Sequence, residues 1–295
     1  MKIAKRIILF LAVNLLILVT LSITLSLLGV QPYLSARGIN YQALMTFCLV
    51  WGMGGAFISL ALSRVMAKWM MGVEVIDPNT SDPTLARLVQ SVHNLAKAAN
   101  LPAMPEVGYY PSPEINAFAT GPTRARALVA VSAGLLEHMD WEEVEGVLAH
   151  EIAHVANGDM VTMTLVQGVI NAVVMFLARV IAFFIANRGR DSESSAAPNY
   201  LVVVLLEMGL SFFGMLVVAA FSRWREYGAD AGGAALAGRE KMIGALQALK
   251  KTLEYADLTG SKSLATLKIS GKPSLGMLFS THPSLDDRIA RLRGA

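Results

Sequence analysis

Four long apolar stretches dominate the chain, and they predict membrane-spanning helices. No charged residue interrupts the first two stretches, Ile7 to Ala36 and Gly38 to Ser63. One charged residue stands in each of the other two, Met160 to Ala186 and Tyr200 to Phe221. A helix needs about 20 apolar residues to cross the hydrocarbon core of a bilayer, so every stretch is long enough. Because an ionisable group is costly in lipid, a buried hairpin of a soluble domain is the alternative for the second pair.

The segment between the second and third stretches mixes charge, proline and glycine, which predicts a globular part. Asp82 followed by Pro83 is typical of a helix start, and this helix should end near Asn100. Three short segments bounded by proline and glycine predict strands: Glu106–Tyr110, Asn116–Thr120 and Leu128–Ser132. The predicted fold class is therefore α+β, a helical transmembrane protein whose globular part combines a small sheet with helices.

Composition and charge agree with a membrane protein. Hydrophobic residues make up 54% of the chain and charged residues 16%, whereas soluble proteins average about 25% charged residues. The net charge of +3 and the lack of a Lys/Arg run predict no nucleic-acid partner. The single cysteine, Cys48, excludes an internal disulfide. Lys and Arg cluster before the first stretch and after the second and fourth, which predicts that both termini and the globular part face the cytoplasm.

The sequence His-Glu-Ile-Ala-His at 150–154 is the strongest sign of chemistry. Asp140 with Glu143 three residues later predicts the start of a helix that runs through both histidines. Histidines four residues apart project from one helix face, where their neutral imidazoles can bind zinc. Glu151 lies beside them, placed to deprotonate a water whose pKa zinc lowers toward ~7. This spacing is the metalloprotease signature, and well under ~0.01 chance matches are expected per chain.

A catalytic zinc ion needs a third protein ligand, which this motif does not supply. Asn157 and Met160 stand where one subclass of zinc proteases has glycine and histidine, so that subclass is excluded. The best candidate is Glu226, with Asp230 four residues later on the same helix face to orient a ligand imidazole. A solvated acidic edge is the alternative for this pair, and His282 is then the first alternative ligand.

Three further features are candidates for substrate handling or support of the site. One predicted strand can bind an extended substrate by strand addition, or be an ordinary sheet strand; it contains Asn116, Ala117, Phe118 and Ala119. His282 before a proline is a candidate oxyanion stabiliser or a capping residue, and Tyr227 is a second candidate donor. Arg288 is a candidate to tie the C-terminal helix to the site through a carboxylate.

These motifs together resemble the HtpX family of membrane zinc metalloproteases. The resemblance rests on the 150–154 motif, a two-helix apolar insert and the segment from Glu226 to Asp230, with further matches at 116–119 and around His282 and Arg288. It covers essentially the whole chain. It implies one Zn²⁺ per chain and an endopeptidase of membrane-protein quality control and stress response. Its substrates would be misfolded membrane proteins and some soluble ones, and its location a bacterial inner membrane.

The sequence also predicts a division of the chain into four parts. Two transmembrane helices occupy 1–66, a cytoplasmic catalytic part 67–158, a transmembrane hairpin 159–221, and a cytoplasmic part with the third zinc ligand 222–295. Two rival functions remain: a zinc protease that trims C-terminal motifs of lipidated substrates, and a non-catalytic scaffold stapled by zinc. Glu151 argues against the scaffold, because a purely structural site has no use for that carboxylate.

Overall fold

The computed structural model describes residues 40–188, 200–259 and 280–294. Its helices are α1 (Tyr41–Met71), α2 (Pro83–Ala98), α3 (Ala133–His138), α4 (Trp141–Asn157), α5 (Asp159–Ala186), α6 (Tyr200–Ala237), α7 (Arg239–Thr259) and α8 (Leu285–Gly294). Its strands are β1 (Glu74–Val75), β2 (Glu106–Tyr110), β3 (Ala117–Thr120) and β4 (Leu128–Ser132). Long apolar helices beside a small sheet confirm the predicted α+β fold class.

Three helices of the described residues, α1, α5 and α6, are long and apolar enough to cross a membrane. They correspond to the second, third and fourth apolar stretches of the sequence. The first predicted span, Ile7 to Ala36, lies outside the described residues. Helix α6 continues well past Phe221, because no proline interrupts it before the left-handed Gly238, whose φ is 98°. One helix therefore carries both an apolar stretch and the segment that contains Glu226.

The chain divides into two compact units. The first comprises Met1–Ile58 and Thr164–Val218, and the second comprises Ser59–Met163 and Ala219–Ala295. In the first unit, Arg179 Nη1 lies 2.5 Å from Glu207 Oε1, so the charges of the last two apolar stretches pair with each other. This pairing reduces the penalty that each group would have in lipid on its own.

The second unit contains a mixed four-stranded sheet in the order β1-β2-β4-β3. β2 and β4 run parallel, whereas β1 and β3 pair antiparallel with their neighbours. The three predicted strands are confirmed, with β3 beginning at Ala117, one residue later than predicted. The sequence did not predict β1, because two residues are too short to show an alternating pattern. Helices α2 and α4 pack against the sheet and enclose the main hydrophobic core with it.

Helix α4 begins and ends where its sequence predicts. Asp140 and Glu143 form the reciprocal capping box, which satisfies backbone donors of the first turn. Gly158 ends the helix in the left-handed conformation, with φ 70° and its N–H directed at the last carbonyls. These two signals fix the length of the helix that carries both histidines.

Candidate active site

Two helices of the second unit bring a possible metal site together. Helix α4 presents His150 and His154, whose Nε2 atoms lie 3.1 Å apart, and α6 presents Glu226 between them. Glu226 Oε2 is 3.4 Å from His150 Nε2, and its Oε1 is 3.3 Å from His154 Nε2. All three side chains are buried, and their ligand atoms lie within 4.8 Å of one another. The structure thus brings together the three residues that the sequence proposed as ligands.

Two adjacent glycines of α6 allow the helices to approach closely. A Cβ atom at Gly233 would lie 3.1 Å from His150 N, and one at Gly232 would lie 2.8 Å from Ala153 Cβ. Larger residues at these positions would push α6 away from α4. The close approach of the two helices at Gly232 and Gly233 lets the carboxylate of Glu226 reach the histidines.

Each histidine contacts a carboxylate through its other ring nitrogen. His150 Nδ1 lies 3.0 Å from Asp230 Oδ1, and His154 Nδ1 lies 2.6 Å from Asp159 Oδ2. A proton held at Nδ1 leaves Nε2 directed toward Glu226, which is the arrangement found around metal-binding histidines. The sequence proposed Asp230 for this position but missed Asp159.

The C-terminal helix α8 adds a buried arginine to this network. Arg288 donates two hydrogen bonds to Asp230, from Nε at 2.8 Å and from Nη2 at 2.6 Å. Its Nη2 also lies 3.4 Å from His150 Nδ1. The expectation that Arg288 ties the last helix to the site through a carboxylate is therefore confirmed.

The carboxylates make the site favourable for positive charge. Burial alone would lower the pKa of His154, but the adjacent carboxylates of Asp159 and Glu226 outweigh burial and raise that pKa to about 9. Glu226 Oε1 is buried and makes no well-directed hydrogen bond among the described residues, although His154 Nε2 lies 3.3 Å and Arg225 Nη2 3.5 Å from it. Such an atom is costly unless it meets a partner, and a cation between it and the two imidazoles would be one. Two imidazoles and one carboxylate are a ligand set of catalytic zinc sites, so the residues fit that metal.

Other predicted residues lie beside the buried triad. Glu151 is only partly buried, and its charge acts on both His154 and Arg288. His282 Nδ1 lies 2.8 Å from Glu226 Oε2, and its side chain is 46% exposed. Tyr227 instead donates its hydroxyl proton to Asp287, so its hydroxyl already has an acceptor. Glu151 and His282 remain the candidates that combine proximity with exposure.

Strand β3 lies at one edge of the described sheet and packs against α4. Three of the four residues proposed for substrate binding, Ala117, Phe118 and Ala119, belong to it, and Asn116 precedes it. Its side chains are all partly exposed, and it pairs with β4 on one side. No further strand of the described residues pairs with the other side of β3.

Two histidines on one helix, a glutamate from a second helix and three helices long and apolar enough to cross a membrane are the features of a membrane metalloprotease. The model of Peptidase family M48 matches residues 83–295. Protease HtpX homologs of Bacillus subtilis and Thiobacillus denitrificans are 51% and 48% identical to this chain, each over 98% of it and 99% of the relative. The chain therefore belongs to peptidase family M48 and, within it, to the HtpX family.

A solved structure shares the fold. The crystal structure of S. mikatae Ste24p matches with a TM-score of 0.59 and 15% identity, over 96% of this chain and 66% of that one. At this identity the likeness concerns the fold alone.

Proposed function

We propose that this protein is a zinc-dependent endopeptidase that hydrolyses misfolded or damaged membrane proteins, and some soluble ones, in quality control and stress response. The observation that carries the proposal is the buried convergence of His150, His154 and Glu226, whose ligand atoms lie within 4.8 Å of one another. His150, His154 and Glu226 would hold one Zn²⁺, which when bound would supply Lewis-acid activation of the scissile carbonyl and of water.

The protein's own groups then carry out the proton transfers. Glu151 takes a proton from the attacking water and passes it to the leaving amine, and its partial exposure lets it reach substrate. Asp159 and Asp230 hold the two imidazoles through Nδ1, and Arg288 holds Asp230. Direct attack by water requires no serine or cysteine nucleophile.

Substrate binding is proposed to use the open edge of β3. Residues 116–119 would pair with an extended polypeptide by main-chain hydrogen bonds. Because such bonds do not depend on side chains, substrates of many different sequences could bind. His282 lies on the exposed side of Glu226 and would donate to the oxyanion that forms when the carbonyl is attacked. The packing of β3 against the histidine helix supports this assignment.

The membrane arrangement follows from chain connectivity. His154 precedes α5 and Glu226 follows the apolar stretch of α6, so an even number of membrane crossings must separate them. We propose that both helices cross a bacterial inner membrane and that the site faces the cytoplasm, as the basic residues predict. Only five or six residues, about 8–9 Å of helix, separate each ligand from the adjoining apolar stretch. Such a site suits substrates in or at the bilayer, and the four-part division of the chain stays a prediction.

The experiment is metal analysis and casein cleavage by the wild type and by Glu151→Gln. The variant should keep one zinc per chain and lose nearly all hydrolysis, because glutamine has the same size but accepts no proton. Glu142→Gln, an exposed change on the same helix, is the matched control and should retain activity. Near-wild-type turnover by Glu151→Gln would overturn the proposal.

The same preparation separates the rival functions. A trimming protease would leave casein intact and cut a lipidated peptide near its C-terminus. A scaffold would bind zinc without cleaving either substrate. A broad endopeptidase cuts unmodified casein and loses that activity together with Glu151.

A further inference from the structure

Large apolar side chains are exposed on a confined part of the second unit. Most of those in its described residues lie on the last three turns of α1, and one lies on α6. They include Leu62, Val65, Met66, Trp69 and Met70 on α1, and Trp224 on α6. Trp69, Met70 and Trp224 are 79%, 69% and 70% exposed, which is unusual for such side chains in water.

The end of α1 has its polar and apolar faces reversed relative to a soluble helix. Leu62, Val65, Met66, Trp69 and Met70 follow the three- and four-residue spacing of one helix face, and that face is exposed. The charged side chains point toward the protein instead: Arg64 and Lys68 both pair with Glu106 at the start of β2. A helix that pairs its charges with the protein and exposes its apolar face is suited to contact with lipid.

The length of α1 places these turns near a membrane surface. Its 31 residues span about 46 Å, whereas the hydrocarbon core of a bilayer is about 30 Å thick. The final turns therefore extend beyond that core. Tryptophan is enriched at the headgroup level, and Trp224 stands between Arg223 and Arg225 just past the apolar stretch of α6.

We propose that the exposed face of α1 from Leu62 to Met70, together with Trp224, lies in the headgroup layer of the membrane that α1 crosses. We call this face the lipid seat. Lipid is the occupant because α1 is long and apolar enough to cross a membrane and its exposed apolar face carries a tryptophan in its last turns. Since Trp224 is two residues from Glu226, about 3 Å of helix rise, the seat fixes the depth of the segment that carries Glu226. The inference requires neither zinc nor peptidase activity.

The test uses the protein's four tryptophans, Trp51, Trp69, Trp141 and Trp224. Variants that keep one tryptophan and have phenylalanine at the other three are placed in bilayers brominated near the headgroup or near the chain ends. Trp69 and Trp224 should lose most of their fluorescence to the shallow bromines and less to the deep ones. Trp141, which lies beneath Arg87, is the reference away from lipid. The proposal would be overturned if bromine quenched Trp69 and Trp224 as weakly as it quenches Trp141.

A second measurement avoids the triple substitution. Met70→Cys in a Cys48→Ser background is spin-labelled in bilayers, with Lys97→Cys, at an exposed position of α2, as the aqueous control. The label at 70 should collide more with oxygen than with a water-soluble nickel complex, and the label at 97 should show the reverse. Nickel access at 70 equal to that at 97 would contradict the lipid seat. So would spin–spin coupling between labels at 70, which would indicate a second copy on this face.

Discussion

Asp159 is the residue of the site whose contribution is easiest to isolate. It contacts His154 Nδ1 at 2.6 Å and is itself buried, but it is not placed to bind the metal. Asp159→Asn should lower zinc affinity by about 10-fold to 100-fold, the usual effect of losing such a partner. Competition with a chromophoric chelator measures the affinity, and Glu142→Gln serves as the control. An unchanged zinc affinity in Asp159→Asn would mean that this contact does not orient the imidazole.

Residue-level prediction from sequence succeeded where a helix sets the spacing. His150 with His154, and Glu226 with Asp230, are pairs four residues apart whose shared faces follow from helix geometry. Asp159 was missed because it lies five residues from His154, and only the left-handed Gly158 turns it back toward the ring. The contact of His282 with Glu226 joins residues 56 positions apart, which local spacing cannot predict.

At the scale of elements, the contact between α4 and α6 is the critical packing. Gly233→Ala would place a Cβ 2.9 Å from Met242 Sδ and 3.1 Å from His150 N. The methionine side chain can move aside, but the backbone of α4 at His150 cannot move as easily. We expect a loss of about 1–3 kcal/mol in the free energy of unfolding, together with weaker zinc binding. Gly228→Ala on the same helix meets nothing within 4 Å and is the matched control. Equal stability and zinc content of the two variants would refute this account of the packing.

The junction between α1 and β2 should respond to acid. Burial alone would raise the pKa of Glu106, but hydrogen bonds from Lys68 and Arg64 outweigh it and hold the pKa below its ordinary value. A lowered folded-state pKa stabilises the protein above the unfolded value, near ~4.3, and this contribution disappears as the pH falls through the folded value. The unfolding midpoint of wild type should therefore exceed that of Glu106→Gln at pH ~7, and the gap should close in acid. A gap independent of pH would contradict the ion pairs, and added salt should also narrow it.

Prediction at the element scale depended on end signals. The caps of α2 and α4 were read from Asp82 and from the capping box at Asp140, and both form. Helix was predicted at Glu226 and Asp230, but the sequence did not predict that this segment and the apolar stretch before it form one continuous helix. What carries the helix onward is the absence of proline and the packing of its glycines on α4.

At the scale of the whole molecule, connectivity constrains the topology. Cysteines introduced at Ser195 and at Glu240, in a Cys48→Ser background, come before and after α6 in the sequence. If α5 and α6 both cross the membrane, a membrane-impermeant thiol reagent should label position 195 from outside and position 240 only after the membrane is opened. If the reagent labels neither position from outside, the proposed metal site would still stand, but α5 and α6 would not both cross the membrane.

The sequence predicted the membrane character because apolar length can be seen along the chain. It could not predict that Arg179 would meet Glu207, since that pair depends on how α5 and α6 align within the first unit. The sequence likewise offered only one arginine, Arg288, as a link between α8 and the site. In the structure this arginine donates two hydrogen bonds to Asp230.

The most direct test of the central claim is anomalous X-ray diffraction at the zinc absorption edge from crystals of the Glu151→Gln protein. The account predicts one peak per chain, bounded by the Nε2 atoms of His150 and His154 and by the carboxylate of Glu226. A peak whose protein ligands exclude Glu226, or zinc bound at another place in the chain, would contradict it.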